Sequence, residues 1–218
     1  MIVNKNKEIF KAIHRSQHCQ RNWDLSKKIP QADLDLIIEA ATQCPSKQNI
    51  AYYKAHFITR RDIIENIHRK TQGFYLNNAD PQKNNALTNP QVLANLLVVF
   101  ESYHDDTNAH RNAENFSQAH GTDLAYSAND LVKRDQHMAV GIAAGYVNVV
   151  SSMLGYGTGC CACFEPEPIK KLLNIKGDVM LLMGVGFPQK GINRRAHHKN
   201  GVMFPTFRKQ NIETVIWS

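Results

Sequence analysis

Apolar residues recur at helical spacing in two places near the start of the chain. One stripe lies within residues 5–14, and a second follows Pro30. The second stripe has the i, i+3, i+4, i+7 spacing of an amphipathic helix and consists of Leu34, Ile37, Ile38 and Ala41. This helix is predicted to end near Cys44, because a residue that precedes proline is disfavoured in the α-helical conformation.

Three apolar runs further along the chain predict β-strands. Residues 94–102 and 179–188 are almost continuously apolar, which is typical of strands buried on both faces. Residues 55–60 form a shorter run, and helices are predicted at 61–70 and 165–175. Strands spaced between helices, with two helices before the first strand, favour an α+β or mixed α/β fold.

The segment 135–159 is small and apolar on nearly every side, which indicates a central buried helix or a helix at a subunit interface. Gly141 and Gly145 each cost such a helix about 1 kcal/mol relative to alanine, so another element is expected to approach its backbone closely. The GYGTG sequence at 155–159 is predicted to be the turn that ends it. Residues 103–130 are polar and weakly patterned, which indicates either an active-site lid or a surface loop.

The bulk composition excludes several classes of protein. The 218 residues suit one domain, 1–218. The formal charge of +7 comes from scattered residues, so an anionic small molecule fits better as a partner than a nucleic acid. No apolar run has the ~18 residues of a membrane span, and no signal-peptide core is visible. The odd number of cysteines, five, is not typical of a disulfide framework, so we expect a reducing compartment and a cytoplasmic protein. We also expect that the protein does not bind membranes.

Four stretches of sequence then occur in a recognisable order. They are HRSQH at 14–18, CPSKQN at 44–49, the segment 135–164 with its glycine-rich end, and the strand end and basic segment at 181–198. In this order they resemble the nitroreductase family of flavin enzymes. The resemblance implies an α+β fold with a mixed, mostly antiparallel central sheet flanked by helices. It also implies a homodimer that holds one FMN per subunit at the subunit interface.

The resemblance further implies an NAD(P)H-dependent flavin oxidoreductase. NADH or NADPH would reduce the FMN, which would then reduce a nitroaromatic, a quinone or a similar acceptor. No separate catalytic residue is assigned, since a flavin supplies the electron chemistry itself. The alternatives are a flavin-fragmenting or reductively dehalogenating relative of the same fold, and a protein that binds or stores FMN without turnover.

The FMN phosphate is expected to bind in a cage of cations and a hydroxyl group, because arginine side chains and N–H donors suit its oxygens. By the resemblance, the members of the cage are His14, Arg15, Ser16, His18, Arg194 and Arg195. From the residues alone, Arg15 would equally suit the negative C-terminal end of the preceding helix. Where the family usually has arginine or lysine this chain has His14 and His18, and histidine is only partly charged near neutral pH. Arg21 could take the place of either histidine.

The resemblance assigns further residues to the flavin ring. They are Pro45, Ser46, Lys47 and Asn49 of CPSKQN, then Asn89, and then Cys161, Ala162 and Cys163. From the residues alone, 44–49 would also serve as a helix-ending turn. Asn84, Asn85 and Gln91 compete with Asn89 for the position that faces the pyrimidine edge of the flavin.

The cysteines after the glycine-rich end allow two other interpretations. Cys160, Cys161 and Cys163 would form a zinc set with His197 or His198, but adjacent cysteines fit the usual zinc spacing poorly. No metal is therefore predicted. The cysteines would also pack as small buried hydrophobic residues, which is compatible with a flavin beside them.

Overall fold

The computed structural model of the chain describes residues 2–71, 89–103, 128–191, 209 and 212–217. Within these residues the chain forms five α-helices and four β-strands. The helices are α1 (Ile2–Ser16), α2 (Gln31–Thr42), α3 (Arg61–His68), α4 (Ala128–Met153) and α5 (Pro166–Leu173). The strands are β1 (Tyr53–Ile58), β2 (Leu96–Ser102), β3 (Gly157–Cys161) and β4 (Val179–Gly186). Short 3-10 helices lie at Lys47–Asn49 and Pro90–Val92.

The helices and strands predicted from the apolar pattern are confirmed, whereas the turn predicted at 155–159 was partly wrong. Gly155 does end α4, with a φ of 92°. Gly157–Cys161, however, is strand β3. The pattern did not indicate this strand because glycine has a low β propensity and offers no side chain to the alternation by which strands are recognised.

The four strands form one sheet in the order β1-β2-β4-β3, and every pairing between them is antiparallel. Helices α2 and α4 cover one face of the sheet, and α3 and α5 cover the other. Strand β2 lies inside the sheet and faces both cores. Val98 and Phe100 pack towards α2 and α4, while Leu97 and Val99 pack towards α3 and α5. Burial on both faces explains why the sequence of β2 is continuously apolar.

Two glycine pairs face each other across β3 and β4. The glycine patch consists of the pairs Gly157–Gly186 and Gly159–Gly184. A Cβ atom added to Gly159 would lie 2.5 Å from the Gln20 carbonyl oxygen and 2.7 Å from the Gln91 Cβ. The missing side chains therefore let two segments, 19–22 and 89–95, lie directly against the sheet.

The Asn95 side chain fastens the second of these segments. Its Nδ2 donates hydrogen bonds to the carbonyl oxygens of Asp24 at 3.0 Å and Lys27 at 2.9 Å. Its Oδ1 accepts one from the Phe187 N–H at 3.0 Å. One amide thus joins the loop before α2, the start of β2 and the end of β4.

Glu101 is a buried carboxylate, only 3% exposed, that connects three parts of the fold. Its Oε1 accepts the N–H groups of Lys176 at 3.0 Å and Gly177 at 2.9 Å, and its Oε2 lies 2.7 Å from His56 Nε2. Burial raises the pKa of Glu101, but the Gly177, His56 and Lys176 donors together outweigh burial, so the pKa lies below its ordinary value. The ionised carboxylate therefore belongs to the folded state.

We expect Glu101→Gln to lower the free energy of unfolding by about 2 kcal/mol at neutral pH, because it removes the charge from three hydrogen bonds. The folded-state pKa is depressed, so the contribution of the carboxylate is fully present above the unfolded-state pKa and is lost as the pH falls through the folded-state value. Urea unfolding of both proteins should therefore show a difference that shrinks on acidification below about pH 4.

The matched control is Glu167→Gln. Glu167 is an exposed glutamate, 3.6 Å from Lys170, so its substitution should change the free energy of unfolding by less than about 0.5 kcal/mol. The prediction would be contradicted if Glu101→Gln lowered the free energy of unfolding equally at all pH values. It would also be contradicted if that loss were no larger than the loss in Glu167→Gln.

Candidate functional site

The HRSQH segment begins in the last turn of α1 and lies beside the C-terminal end of α4. Arg15 Nη1 donates to the Ser152 carbonyl oxygen at 3.3 Å, and Asn148 Nδ2 donates to the Ser16 carbonyl oxygen at 2.9 Å. The Ser16 hydroxyl donates to Ile13 at 2.8 Å. Arg15 thus interacts with the negative end of a helix, but of α4 rather than of its own helix. The rest of its side chain is exposed.

The chain then runs from HRSQH onto the edge of β3. Cys19 forms a parallel bridge with Thr158, and the Gln20 N–H donates to the Thr158 carbonyl oxygen at 2.6 Å. The Thr158 hydroxyl donates to Asn148 Oδ1, so one asparagine of α4 holds both HRSQH and β3. The structure therefore brings HRSQH to the same strand that leads into Cys161.

Asn89 and Gln91 are buried against the same strand, at 5% and 6% exposure. Gln91 Nε2 donates to Asn89 Oδ1 at 3.1 Å, and the Gln91 Cβ lies against Gly159. Both residues were candidates for the flavin edge, and the structure puts them side by side. Asn84 and Asn85 lie outside the described residues.

Two buried polar atoms beside β3 have no hydrogen-bond partner among the described residues. They are Arg21 Nε, a donor, and Gln91 Oε1, an acceptor. Buried groups of this kind are normally satisfied, so each needs a partner outside the described residues. The pyrimidine edge of FMN carries both carbonyl oxygens and an N–H group, and the chemistry of this donor and acceptor fits it. From the sequence, Arg21 was considered only as a substitute for His14 or His18, because a lone arginine in a polar stretch has no local feature that marks it as buried.

The segment 161–163 combines a buried thiol with an exposed alanine. Cys161 is buried, Ala162 is exposed, and the Cys161 thiol lies 3.6 Å from the Cys163 carbonyl oxygen. Burial raises the pKa of Cys161 to about 11, and neither the Cys163 backbone nor the charge of Arg21 reverses this. The thiol therefore stays protonated at neutral pH.

The zinc interpretation finds no geometry to support it in the part of the chain that the structure describes. No three histidine, cysteine, aspartate or glutamate side chains there lie close enough to hold a metal ion. His197, His198, Arg194 and Arg195 lie outside the described residues, as does 104–127, which is most of the lid candidate 103–130.

The CPSKQN segment lies near the other end of α4. Lys47 Nζ is 2.6 Å from Oδ2 of the buried Asp135, and Ser46 Oγ accepts the Ala51 N–H at 2.8 Å. Pro45 and Asn49 are exposed. Sequence reasoning missed the ion pair with Asp135, since its partners are 88 residues apart.

The backbone that follows Lys47 is strained. Four residues have left-handed φ angles, namely Gln48 at 52°, Asn49 at 59°, Ala51 at 69° and Tyr52 at 66°. Such a conformation costs an L-residue roughly 1–2 kcal/mol, and strain of this kind concentrates at functional sites. The Ser46 hydroxyl on Ala51 and the Tyr103 N–H on the Tyr52 carbonyl oxygen, at 3.0 Å, help to fix it.

The candidate residues therefore form two groups at opposite ends of α4. Arg15 contacts Ser152 and Lys47 contacts Asp135, and at a rise of 1.5 Å per residue these positions lie about 25 Å apart along the helix. Within one chain, HRSQH and CPSKQN do not line a common small-molecule site.

The fold and this arrangement can now be compared with known proteins. A family model described as the nitroreductase family matches residues 15–187. The chain belongs to the nitroreductase family, and the α+β class and the family predicted from the sequence are confirmed. Membership supports a flavin oxidoreductase in general terms. A comparison with curated proteins gave no match.

Solved structures share the fold at low sequence identity. A nitroreductase family protein from Streptococcus pneumoniae TIGR4 is 17% identical, with 94% of this chain and 100% of that chain covered and a TM-score of 0.60. A putative nitroreductase from Exiguobacterium sibiricum 255-15 in complex with FMN is 17% identical, with 93% and 91% covered and a TM-score of 0.61. A putative NAD(P)H:FMN oxidoreductase from Staphylococcus epidermidis ATCC 12228 is 13% identical, with 85% and 89% covered and a TM-score of 0.62.

None of the helices in the described ranges has both the length and the apolar character needed to span a membrane.

The strained loop gives a direct test. We expect Gln48→Gly to raise the free energy of unfolding by about 0.5–1 kcal/mol, because glycine adopts the left-handed conformation without a steric penalty. The measurement is urea unfolding. Gln43→Gly is the control, since Gln43 is exposed and has a φ of −104°, so glycine there should bring no gain. Equal changes in the free energy of unfolding for the two substitutions would show that the backbone at Gln48 is not strained.

Proposed function

We propose that the protein is an FMN-dependent oxidoreductase that transfers electrons from NADH or NADPH to a nitroaromatic, a quinone or a similar acceptor. The observation that carries this proposal is a pair of buried atoms beside β3, Arg21 Nε and Gln91 Oε1, in a chain of the nitroreductase family. Neither atom has a hydrogen-bond partner among the described residues. When bound, FMN supplies the electron-transfer chemistry, and the protein supplies binding and orientation.

In this proposal the phosphate of FMN binds at the end of α1. Arg15 has one N–H on the Ser152 carbonyl oxygen, and the rest of its exposed guanidinium is open to phosphate oxygens. His14 and His18 are exposed on either side of it. Ser16 would join by turning its hydroxyl away from Ile13. Arg194 and Arg195 are proposed to complete the cage.

The flavin ring is proposed to lie against 161–163. The Cys161 side chain is buried and Ala162 is small and exposed, so a planar ligand can approach the backbone N–H groups there. Asn89 and Gln91 would bind the pyrimidine edge together with Arg21. These residues bind and orient the ring, and none of them has to exchange a proton.

The CPSKQN residues are proposed to reach the flavin from a partner subunit. Within one chain they lie at the far end of α4, so Pro45, Ser46, Lys47 and Asn49 need a second copy to join the HRSQH site. We therefore propose a homodimer whose two sites each use both chains.

The exposed face of α4 supports this homodimer. Met138, Ile142 and Tyr146 form an apolar stripe that is between 38% and 49% exposed. A Cβ added to Gly141 or Gly145 would meet no atom of the described residues within 4 Å, apart from its chain neighbours and the backbone of its own helix. The close neighbour expected for these glycines is thus absent from the rest of the described chain, and the partner's α4 is proposed to supply it.

An antiparallel pairing of the two α4 helices would complete the site. Gly141 and Gly145 lie midway between Asp135 and Ser152 in the helix. If the helices cross there, the partner subunit's Asp135, with its Lys47, comes beside Ser152 and Arg15. The two halves of the candidate site, separated within one chain, then meet across the interface.

We also propose that 1–218 is a single domain and that the protein works in the cytoplasm. The family model matches one continuous span, which supports one domain. All five cysteines are free thiols, which supports a reducing compartment.

The function is tested by the visible spectrum of the purified protein. We expect the absorption bands of oxidised flavin, which NADH or NADPH bleaches in the absence of oxygen and a quinone restores. Bands that neither nicotinamide bleaches would contradict the proposed enzyme and favour FMN storage. A colourless protein that does not take up added FMN would contradict the cofactor itself.

The matched pair for this test is Arg15→Ala and Arg60→Ala. Arg15→Ala should weaken FMN binding by roughly tenfold or more, because a charge-assisted contact to phosphate is lost. Arg60→Ala should leave it unchanged, since Arg60 forms only a surface pair with Asp62 at 2.6 Å. Equal FMN affinities in the two variants would remove Arg15 from the phosphate site.

The composite site is tested by the oligomeric state. We expect Ile142→Glu to convert the dimer into monomers that have lost FMN, because charges buried in an apolar interface without a partner are strongly unfavourable. Light scattering after gel filtration measures the oligomeric state, and flavin absorbance measures the FMN content. Leu172→Glu on α5 is the control, since Leu172 is 41% exposed, close to the 38% of Ile142. A monomer with full FMN content would contradict the shared site.

A further inference from the structure

A cavity of about 450 Å³ lies away from the proposed flavin site. It is lined by residues that follow β1, precede β2 and begin α2 and α3, including Thr59, Asn95 and Gln31. None of the described residues that line it belongs to HRSQH or to 161–163. Its volume is in the range of small-molecule sites. We call it the basic cavity.

The basic cavity has an apolar floor. Leu25, Ile29, Leu34 and Ile64 line it, and Ile64 is fully buried in the core between the sheet and α3. Carbon surface of this kind favours a ligand with an apolar body, because its contact with water is removed on binding.

Three cations lie around this floor, and no carboxylate is among the described residues that line the cavity. The cations are Lys27, Lys28 and Arg61. Arg61 Nη1 donates to the carbonyl oxygens of Leu93 at 3.0 Å and Ala94 at 3.1 Å, which fixes the guanidinium at the cavity wall.

Most of this positive charge is already balanced. Lys27 Nζ lies 3.0 Å from Asp24, and Arg61 Nε lies 3.0 Å from Glu65. Lys28 has no ion pair with any described residue. The basic cavity therefore has an excess of about one positive charge, which matches a single anionic charge better than a phosphate dianion.

Two helices also begin at the basic cavity. Gln31 starts α2 and Arg61 starts α3, and neither helix has a side-chain hydrogen bond at its N-cap. Each first turn also contains a carboxylate, Asp33 in α2 and Asp62 in α3, which offsets the partial positive charge of the helix end. The attraction for an anion therefore comes from the side chains of the cavity.

We infer that the basic cavity binds a small amphipathic carboxylate. Its anionic head lies at Lys28 and Arg61, and its apolar body lies on Ile29, Leu34 and Ile64. This inference rests on the cavity alone and does not depend on the proposed flavin chemistry.

The test is isothermal titration of the full chain, as purified, with octanoate. Two matched probes separate the parts of the ligand: 1-octanol has the same body without the charge, and inorganic phosphate has charge without the body. We expect saturable one-to-one binding of octanoate, with 1-octanol and phosphate each at least about tenfold weaker. Octanol or phosphate binding as tightly as octanoate, or the absence of saturable binding, would overturn the inference.

Two charge-reversing variants locate the binding. Lys28→Glu should weaken octanoate binding by at least about tenfold. Lys171→Glu, which makes the same charge change at an exposed position of α5, should leave it unchanged. Both lysines are exposed, so both variants are expected to fold, and equal effects would show a non-specific response to net charge. FMN content should be the same in both, which separates this result from any failure of the flavin proposal.

Discussion

The close contact of two segments with the glycine patch is the constraint on which the candidate site depends. Residues 19–22 and 89–95 approach β3 and β4 so closely that even a methyl group on Gly159 would overlap them. This contact puts HRSQH, Arg21 and Gln91 beside the strand that leads to Cys161. The basic cavity depends on the same packing, because Asn95 joins its wall to the end of β4. A sheet with ordinary side chains at these positions would hold both segments several ångströms further away.

Helix α4 sets the second constraint, which is distance. Asn148 and Ser152 hold the end of α1 at one end of this helix, and Asp135 holds Lys47 near the other. Helix α4 thus separates Arg15 from Lys47, two residues that the family resemblance assigns to one cofactor. The apolar stripe and the open space beside Gly141 turn this apparent conflict into support for two chains per site.

The sequence predicted the parts of the fold that depend on local pattern. Strand β2 is apolar throughout because it faces two cores, and the stripe of α2 matches the face that it buries. Strand β3 escaped notice because its glycines serve packing across the sheet, which no local pattern records. The candidate site follows the same rule: HRSQH was found through a resemblance, whereas its contacts with Asn148 and Ser152 join residues more than 130 positions apart. The burial of Arg21 Nε and of Asp135 became visible only in the structure.

The four left-handed residues between Gln48 and Tyr52 also determine how the backbone amides of this loop exchange with solvent. Opening the loop releases the strain of its left-handed residues, which favours opening. The neighbouring helices have no such strain to release. The backbone N–H groups that oppose this opening bond within the loop, apart from the Tyr103 N–H, which donates to the Tyr52 carbonyl oxygen. The loop can therefore open as a local unit, and we expect its amides to exchange before those of α4 and β2.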